Sequence, residues 1–374
     1  MSTTPFEIAV LPGDGIGVEV MRAGLAVLEA ARRRVGGFAL ACQTLPGGAV
    51  HYRETGEALS EESFRRCEQA DAILFGAMGH PDIRYPDGTE INPQIDLRMR
   101  LELIAGVRPI RAIPGVPAVL ADPRAARIDL VIVRESTEGL FASRNRGEVS
   151  HAAARETMVI TRAVCERLFD FCLDLADRRR AEGRPGEVTC VDKANVFRAM
   201  AFFRQVFDER AARHPGARPR HHLVDAAALD LVRRPWDFDV MVMENQFGDI
   251  LSDLAAGLIG GMGFAPSADV GAAHAVFQPS HGSAPDIAGR GIANPTAMIL
   301  SGAMMLDWLG RRQGVPAACE AARLIRRAVD AAFARGLRTA DLARPDWSGE
   351  PGGAGTAEAT RAVIAALTTL EGDQ

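Results

Sequence analysis

Four short apolar runs, which end in glycines or in a pair of polar residues, constrain the fold of this chain most. They occupy residues 72–75, 128–133, 188–191 and 240–243 and are rich in aliphatic side chains. Segments 18–34, 161–180, 196–213 and 249–258 lie before, between and after them with apolar residues at helical spacing. This alternation predicts an α/β fold with parallel or mixed sheets flanked by helices. Open sheets of this kind build their sites at the carboxyl ends of strands.

Length and composition exclude several classes of protein. A chain of 374 residues exceeds one compact core of ordinary size, which predicts about two domains. The net charge of −5 and the lack of a basic tail predict neither a nucleic-acid nor a membrane partner but a small molecule. No apolar run approaches the roughly 20 residues of a membrane span, and no export signal is visible, so we expect a soluble, cytoplasmic protein. Six scattered cysteines without a C-x-x-C pair indicate packing residues.

Lys193 is the only lysine of the chain, although Lys and Arg together number 43. A genomic preference for arginine codons accounts for the other 42 positions but not for this exception. Arginine stays protonated at any working pH, whereas a lysine can be tuned to exchange a proton. Lys193 also follows an apolar strand directly. The sequence therefore predicts that Lys193 takes part in proton transfer.

Asp249 and Asp253 are spaced to share one face of a helix that they begin. Like charges at this spacing are unfavourable unless a cation lies between them, and hard oxygen ligands select Mg²⁺ or Mn²⁺. The alternative is that they are acids favoured by the helix dipole in a first turn, which suits Asp249 better than Asp253. We favour the metal site.

Three arginines are candidates for binding substrate carboxylates, because the planar guanidinium matches a carboxylate in a bidentate manner. Arg134 ends an apolar strand, and Arg108 stands in Gly-Val-Arg-Pro, which is not typical of a surface helix. Arg98 is the least distinguished of the three on physical grounds.

Two glycine-containing segments are candidates for cofactor binding. The turn at residues 13–17 has the spacing G-x-G-x-G, which differs from the G-x-G-x-x-G of dinucleotide-binding folds, and a plain turn is equally compatible with it. Residues 279–295 contain small residues that allow close backbone approach to a ligand. Asp286 could accept hydrogen bonds from a ribose diol, which favours NAD over NADP.

Taken together, these motifs identify a resemblance. Over essentially its whole length the chain resembles the β-decarboxylating dehydrogenases that act on isopropylmalate, isocitrate, homoisocitrate and tartrate or D-malate. The motifs appear in family order as LPGDGIG, GVRP, RESTEGLF, VDKANV, VDA, NQFGDILSD and HGSAPDIAGRGIANP. The resemblance implies a two-domain fold of the isopropylmalate dehydrogenase type. A large cofactor-binding domain would comprise 1–103 and 260–374, and a substrate, metal and dimerisation domain would comprise 104–259 with an arm at about 136–160.

The resemblance also implies roles for particular residues. Arg98, Arg108 and Arg134 would hold the substrate carboxylates, and Lys193 with Asp225 would relay the proton. Asp249 and Asp253 of one subunit and Asp225 of its neighbour would hold Mg²⁺ or Mn²⁺, so that active sites are shared in a homodimer; K⁺ is a further cation to test. NAD would contact these residues: Ile16, Gln278, His281, Gly282, Ser283, Ala284, Asp286 and Asn294.

The chain departs from the family at two of these positions. The last residue of RESTEGLF is Phe141, where the family usually has the tyrosine expected to protonate the enol. The family commonly has glutamate at the position of Gln278. These departures leave open a catalytically silent, regulatory relative, although the retained lysine and aspartates oppose it.

Substrate choice depends on residues 91–98, where the family reads the group on C3 of the malate. Asn92, Gln94 and Ile95 match neither the aliphatic set of isopropylmalate enzymes nor the small polar set of isocitrate enzymes. Asn92 before Pro93 is also a good helix cap with a first-turn proline. We expect a dehydrogenase of the 3-isopropylmalate type, with tartrate or D-malate and then isocitrate or homoisocitrate as the alternatives.

Overall fold

The structure, a computed structural model, describes residues 5–342 and 353–370. Its strands alternate with helices for most of the chain. The strands are β1 Phe6–Gly13, β2 Leu40–Thr44, β3 Ala72–Ala77, β4 Ala105–Arg111, β5 Asp129–Glu135, β6 Glu148–Val149, β7 Ala154–Arg155, β8 Val188–Asp192, β9 Pro219–Leu223, β10 Val240–Met243, β11 Pro266–Val270 and β12 Ala275–Pro279. The α-helices are α1 Gly17–Val35, α2 Ala49–Thr55, α3 Glu61–Gln69, α4 Pro93–Arg100, α5 Arg162–Ala181, α6 Arg198–Ala211, α7 Val224–Arg233, α8 Asn245–Leu258, α9 Thr296–Gln313, α10 Pro316–Ala334 and α11 Thr356–Thr369.

Ten strands form one mixed sheet in the order β2-β1-β3-β12-β11-β4-β5-β10-β8-β9. The strands at each end pair in parallel, whereas β12, β11, β4 and β5 pair antiparallel in the middle. Helices α1, α9, α10 and α11 pack against one another beside the first half of the sheet, and α5 packs on α6 beside the second half. The predicted α/β class with a mixed sheet is confirmed.

One continuous sheet crosses the predicted domain boundary. Strand β11, from the predicted cofactor domain, pairs with β4 of the predicted substrate domain, with Asp269 opposite Gly106. The main hydrophobic core also contains residues from both sides of this boundary. The division into two domains therefore stays a prediction.

The predicted elements agree with the observed ones except at two places. Helix α8 begins at Asn245, so the prediction that Asp249 and Asp253 begin this helix is wrong. The segment 136–160 carries a small hairpin of β6 and β7 that is separate from the main sheet, but its first residue, Ser136, is fully buried.

Four of the six free cysteines are buried, while Cys42 is exposed. Among the described residues, no helix combines the length and hydropathy of a membrane span.

Candidate active site

The three predicted arginines lie together, although they come from three different elements. Arg98 is on α4, Arg108 in β4 and Arg134 in β5, and their exposed fractions are only 6%, 7% and 5%. Arginine is rarely this buried unless it is paired or awaits an anion. The arginine that looked least distinguished in the sequence, Arg98, is as buried as the other two.

A cavity of about 120 Å³ opens beside these arginines. It is lined by Arg98 and Arg108 and by residues of three segments: Phe75, Gly76, Ala77, Met78, Gln94, Gln278, Pro279, Ser280, His281 and Gly282. Several polar atoms of this region are buried without a protein partner, namely Nε of Arg108 and Arg134, Oε1 of Gln94 and Nε2 of His281. Because buried polar groups are rarely left unpaired, a polar ligand or ordered water is expected here.

The electrostatics of the arginines favour an anion. Burial lowers the pKa of Arg134 to about 10, and the positive charge of Arg98 pushes it further in the same direction. Burial likewise lowers the pKa of Arg108, with Asp269 opposing the effect. Positive charges that repel one another in a buried site are stabilised when a ligand that carries carboxylates binds there.

Arg134 is held against the start of α8. Its Nη2 donates to Oδ1 of Asn245 at 3.0 Å, and its Nη1 pairs with Asp249. Asn245 is itself fixed, since its Nδ2 donates to the carbonyl of Glu135 at 2.9 Å. Gly248 leaves the space for this arrangement: a Cβ there would lie 2.6 Å from Cβ of Arg134.

Helix α8 presents both metal-ligand candidates. Glu244 caps the helix by accepting hydrogen bonds from the amides of Gln246 and Phe247 at 3.0 and 2.8 Å. Asp249 therefore lies in the second turn, and the alternative that it is a first-turn acid favoured by the dipole is wrong. Desolvation raises the pKa of Asp253, with Arg108 opposing the effect and Asp249 adding to it. Two carboxylates at this spacing suit a divalent cation.

Lys193 and Asp225 contact each other directly. The Nζ of Lys193 donates to Oδ1 of Asp225 at 2.7 Å, and this bond is the main reason why the pKa of Asp225 lies below its ordinary value. In the described part of one chain, no three Asp, Glu, His or Cys side chains converge as a metal site. Asp225 therefore does not join Asp249 and Asp253 within one chain.

The two candidate cofactor segments touch each other. The amide of Ile16 donates to the carbonyl of Ser283 at 2.8 Å, and a Cβ on Gly15 would lie 2.0 Å from the same carbonyl oxygen. Asp14 fixes the glycine turn, because its carboxylate accepts from the amides of Ala49, Val50 and Gly79. The turn is thus a packed junction as well as a candidate ligand surface.

The remaining cofactor candidates differ in their availability. Nδ1 of His281 contacts the carbonyl of Gly282, while desolvation lowers the pKa of His281 and favours the neutral ring. Asn294 is engaged with Asp341 and with the amide of Thr296 at the start of α9. Ala284 adopts a left-handed φ of 36°, and Asp286 is exposed.

The start of α4 corrects one expectation. Asn92 occupies the N-cap position and Pro93 the first turn, as predicted, but the Asn92 side chain makes no capping hydrogen bond. Its Oδ1 and Oε1 of Gln94 are buried without a protein partner. The capping role therefore does not account for the Asn92 side chain.

Phe141 and Ile95 line a second cavity of about 190 Å³. Met99 adds further apolar surface, and Arg144 and Arg146 line the same space. The guanidinium carbon of Arg134 lies 5.8 Å from the centre of the Phe141 ring. This cavity combines an apolar wall with two cations.

Sequence reasoning missed residues that hold this site together. Asp269 pairs with Arg98, Asn245 fixes Arg134, and Ser280 Oγ accepts a 2.8 Å hydrogen bond from Arg108. An acid inside the apolar run of β11 was a signal for Asp269. Asn245 comes two residues after an apolar run, as Lys193 does, and this was a signal of the same kind.

The fold and this site define a class of protein that comparisons with known proteins identify. The family described as "Isocitrate/isopropylmalate dehydrogenase" matches residues 7–363. The chain belongs to this family and is therefore a decarboxylating dehydrogenase, an oxidoreductase.

Individual relatives match nearly the whole chain. A 3-isopropylmalate/3-methylmalate dehydrogenase of Methanocaldococcus jannaschii is 41% identical over 90% of this chain and 93% of its own length. An isocitrate/homoisocitrate dehydrogenase of Thermus thermophilus is 42% identical over 98% and 99%. The crystal structure of isocitrate dehydrogenase from Methylococcus capsulatus has a TM-score of 0.83 at 35% identity and covers 97% of this chain and 99% of that one.

Proposed function

We propose that this protein uses NAD⁺ and Mg²⁺ or Mn²⁺ to oxidise and decarboxylate a 3-substituted malate of the 3-isopropylmalate type. The observation that carries the proposal is the convergence of Arg98, Arg108 and Arg134 on one site, because two carboxylates of a malate would relieve the repulsion among these buried cations. Relatives named as isopropylmalate dehydrogenases support the substrate class.

The acidic residues fit a divalent cation. Asp249 and Asp253 would hold it through hard carboxylate oxygens, the ligands that Mg²⁺ and Mn²⁺ prefer. When bound, such a cation acts as a Lewis acid on the 2-hydroxyl and the later 2-oxo group. In the structure, Arg134 pairs with Asp249 and so fixes the position of this carboxylate on α8.

Proton transfer is assigned to Lys193 and Asp225. Their 2.7 Å hydrogen bond links an amine, which can accept the hydroxyl proton, to an exposed carboxylate that can pass it to solvent. Arg98, Arg108 and Arg134 would orient the substrate so that the hydrogen on C2 faces the nicotinamide.

A homodimer would complete each site. Asp225, Leu229 and Val232 share one face of α7 at helical spacing, and Leu229 and Val232 are about half exposed. Ile250, next to Asp249 on α8, is 60% exposed. These exposed apolar side chains lie beside the metal-ligand and proton-transfer candidates, which favours a subunit interface at this place. Such an interface would bring Lys193 and Asp225 of one subunit to Asp249 and Asp253 of the other.

NAD⁺ fits the segment that begins at His281. Its buried, unpartnered Nε2 and the exposed carboxylate of Asp286 offer one polar contact to a base and one to a ribose. When bound there, NAD⁺ would supply the hydride acceptor for the oxidation.

The C3 substituent has two candidate forms. Ile95, Met99 and Phe141 provide apolar surface for an alkyl group. Arg144 in the same cavity, together with the isocitrate/homoisocitrate relative, favours a substituent that ends in a carboxylate as the second candidate.

The test is NADH formation with Mn²⁺, with and without K⁺, on 3-isopropylmalate, homoisocitrate, isocitrate, D-malate and tartrate. We expect the highest kcat/KM for 3-isopropylmalate, unchanged in Arg144→Ala. If homoisocitrate or isocitrate is preferred and Arg144→Ala lowers its kcat/KM, the second candidate replaces the first. Absence of metal-dependent turnover on all five would contradict the proposed substrate class.

A further inference from the structure

A buried carboxylate lies behind the arginines, on a strand that the proposed chemistry does not use. Asp269 of β11 is 1% exposed and stands opposite Gly106 of β4, which in turn stands opposite Arg134 of β5. Three neighbouring strands thus place Asp269 and Arg134 on either side of a glycine. A Cβ on Gly106 would lie 3.2 Å from Oδ1 of Asp269 and 2.6 Å from Oγ of Ser136, so the glycine makes room for this group.

One carboxylate oxygen of Asp269 contacts both a predicted substrate-binding residue, Arg98, and a predicted cofactor-binding residue, Gln278. Its Oδ2 accepts a hydrogen bond from Nε of Arg98 at 2.9 Å and another from Nε2 of Gln278 at 2.7 Å. Its Oδ1 accepts from Oγ of Ser136 at 3.4 Å. Arg98 and Gln278 both line the cavity, whereas Asp269 does not. Asp269 therefore holds two lining residues from behind.

Arg98 donates to Asp269 through Nε, so its two terminal guanidinium nitrogens are left for another acceptor. Within the described residues, neither terminal nitrogen of Arg98 has a protein hydrogen-bond partner. A guanidinium fixed at Nε keeps its two terminal nitrogens in a set plane, as bidentate recognition of a carboxylate requires. Asp269 also opposes the lowering of the pKa of Arg108 and of Arg134.

We propose that Asp269 is a positioning residue that supplies the negative charge absent at position 278. Gln278 is neutral, and the carboxylate stands on the neighbouring strand, in contact with the glutamine amide. One negative charge at this place holds the Arg98 guanidinium oriented for the substrate carboxylate. Two adjacent buried carboxylates would repel each other, so the site accepts the charge at 269 or at 278 but not at both.

This inference rests on the proposed function, because it concerns how Arg98 meets the substrate. Its test is a charge exchange between the two positions. Asp269→Asn keeps the shape and an acceptor but removes the charge, and we expect a rise of roughly 10-fold or more in KM for the hydroxy acid, as loss of a charge-assisted hydrogen bond implies. Gln278→Glu alone should be impaired to a similar extent. The double variant Asp269→Asn with Gln278→Glu should return KM to within about threefold of the wild type, since the charge is restored.

A matched control separates positioning from stability. Asp239 is equally buried and pairs with Arg179 far from the cavity lining, so Asp239→Asn should lower Tm without changing KM. If Asp239→Asn fails to fold, Asp330→Asn, which loses a partner of Arg111, takes its place. If Asp269→Asn lowers Tm as the control does and leaves KM unchanged, Asp269 is structural and the proposal is wrong. Lack of rescue in a folded double variant would also overturn it.

Failure of the proposed function can be recognised separately. Calorimetric binding of D-malate to the wild type and to the Asp269→Asn and double variants does not depend on turnover. If the wild type turns over none of the substrates yet binds D-malate more tightly than Asp269→Asn does, and the double variant regains affinity, the positioning role stands while the proposed reaction does not. Equal affinity in all three proteins would reject the positioning role, whatever the assay gives.

Discussion

Lys193 donates a hydrogen bond to Asp225 over 2.7 Å, joining the loop after β8 to the first turn of α7. The bond depresses the pKa of Asp225, so this carboxylate stays ionised as pH falls below the range where an ordinary aspartate becomes protonated. The ionised carboxylate is therefore available to accept a proton from the lysine amine and pass it to solvent, as the proposed relay requires.

Lys193→Arg tests this role directly. Arginine can keep the charge and the contact with Asp225 but cannot release a proton, so we expect kcat to fall by about 10²–10⁴-fold with little change in Tm. Steady-state kinetics as a function of pH, with thermal melting as the control for folding, give the answer. Turnover within threefold of the wild type would show that the amine does not transfer the proton.

Mn²⁺ binding should depend on pH through Asp253. The pKa of this carboxyl is raised, chiefly by desolvation, so protons compete with the cation at pH values above the ordinary aspartate range. By the same shift, the metal-free protein loses stability as pH rises from the unfolded-state pKa toward the raised folded value, and the cation offsets this loss above it. We expect the rise in Tm caused by Mn²⁺ to be larger at pH 7.5 than at pH 5.

One variant tests the role of Asp253 in this Mn²⁺ effect, and a second serves as its control. Asp253→Asn should abolish the pH-dependent part of the Mn²⁺ effect, because the amide neither titrates nor ligates as a carboxylate. Glu320→Gln, which removes a partly exposed acid paired with Arg323 on α10, should leave the effect intact. A Mn²⁺ effect that is the same in Asp253→Asn and in the wild type would exclude Asp253 as a ligand.

Two glycines of α8 provide a matched pair of substitutions. Gly248→Ala places a Cβ 2.6 Å from Cβ of Arg134 and 3.0 Å from its Cα, so the arginine must move, and we expect a higher KM for the hydroxy acid together with a lower Tm. Gly257→Ala on the same helix meets no atom within 4 Å. It should stabilise the protein by up to about 1 kcal/mol through helix propensity and leave KM unchanged. Equal KM values in both variants would show that Gly248 is not needed to position Arg134 for the substrate.

The sequence predicted the residues that face a ligand better than those that hold them. Lys193, Arg134 and Asp249 follow or flank apolar strands within recognisable motifs, so their positions could be inferred from pattern and resemblance. The contacts of Asp269 could not, because its partners Arg98 and Gln278 meet it only after antiparallel pairing of β11 with β12 and the packing of α4.

Helix boundaries and caps were a second source of error. Apolar spacing placed the start of α8 at Asp249, but the helix begins four residues earlier, at Asn245, with Glu244 as its cap. A glutamate cap is less typical than serine, threonine or aspartate. Asn92 has the residue type of a cap, yet its side chain does not bond to the helix. Residue type alone therefore did not identify which side chain caps its helix: Glu244 bonds to the amides of its own helix, whereas the Asn92 oxygen is buried without a protein partner.

Phe141→Tyr restores a hydroxyl next to the arginines. The ring lines the second cavity and lies 5.8 Å from the guanidinium carbon of Arg134, and phenylalanine has no proton to give to an enol. If enol protonation limits turnover, a phenol there should raise kcat, by up to about 10²-fold for a well-placed general acid. The solvent isotope effect on kcat, measured for both proteins, shows whether protonation is the slow step. A large isotope effect in the wild type with no gain from tyrosine would assign the proton to water or to another group.

The proposed sharing of active sites between two subunits predicts the behaviour of mixed dimers. Lys193→Ala and Asp249→Asn should each inactivate the homodimer. If Lys193 of one subunit serves Asp249 of the other, a heterodimer of the two variants contains one intact site and one doubly altered site. After unfolding and refolding of an equimolar mixture, half of the dimers are mixed, so activity should return to about a quarter of the wild-type level.

Leu229→Glu controls for the interface that this complementation requires. A charge on the exposed apolar face of α7, one turn from Asp225, should prevent subunit pairing, which light scattering would detect as monomers. Introduced into both variants, it should abolish the recovered activity. Were Lys193 and Asp249 to act within one chain, every subunit in the mixture would carry a defective site and no activity would return, even though dimers form. Recovery without dimers would equally contradict the shared site, so activity and mass must change together.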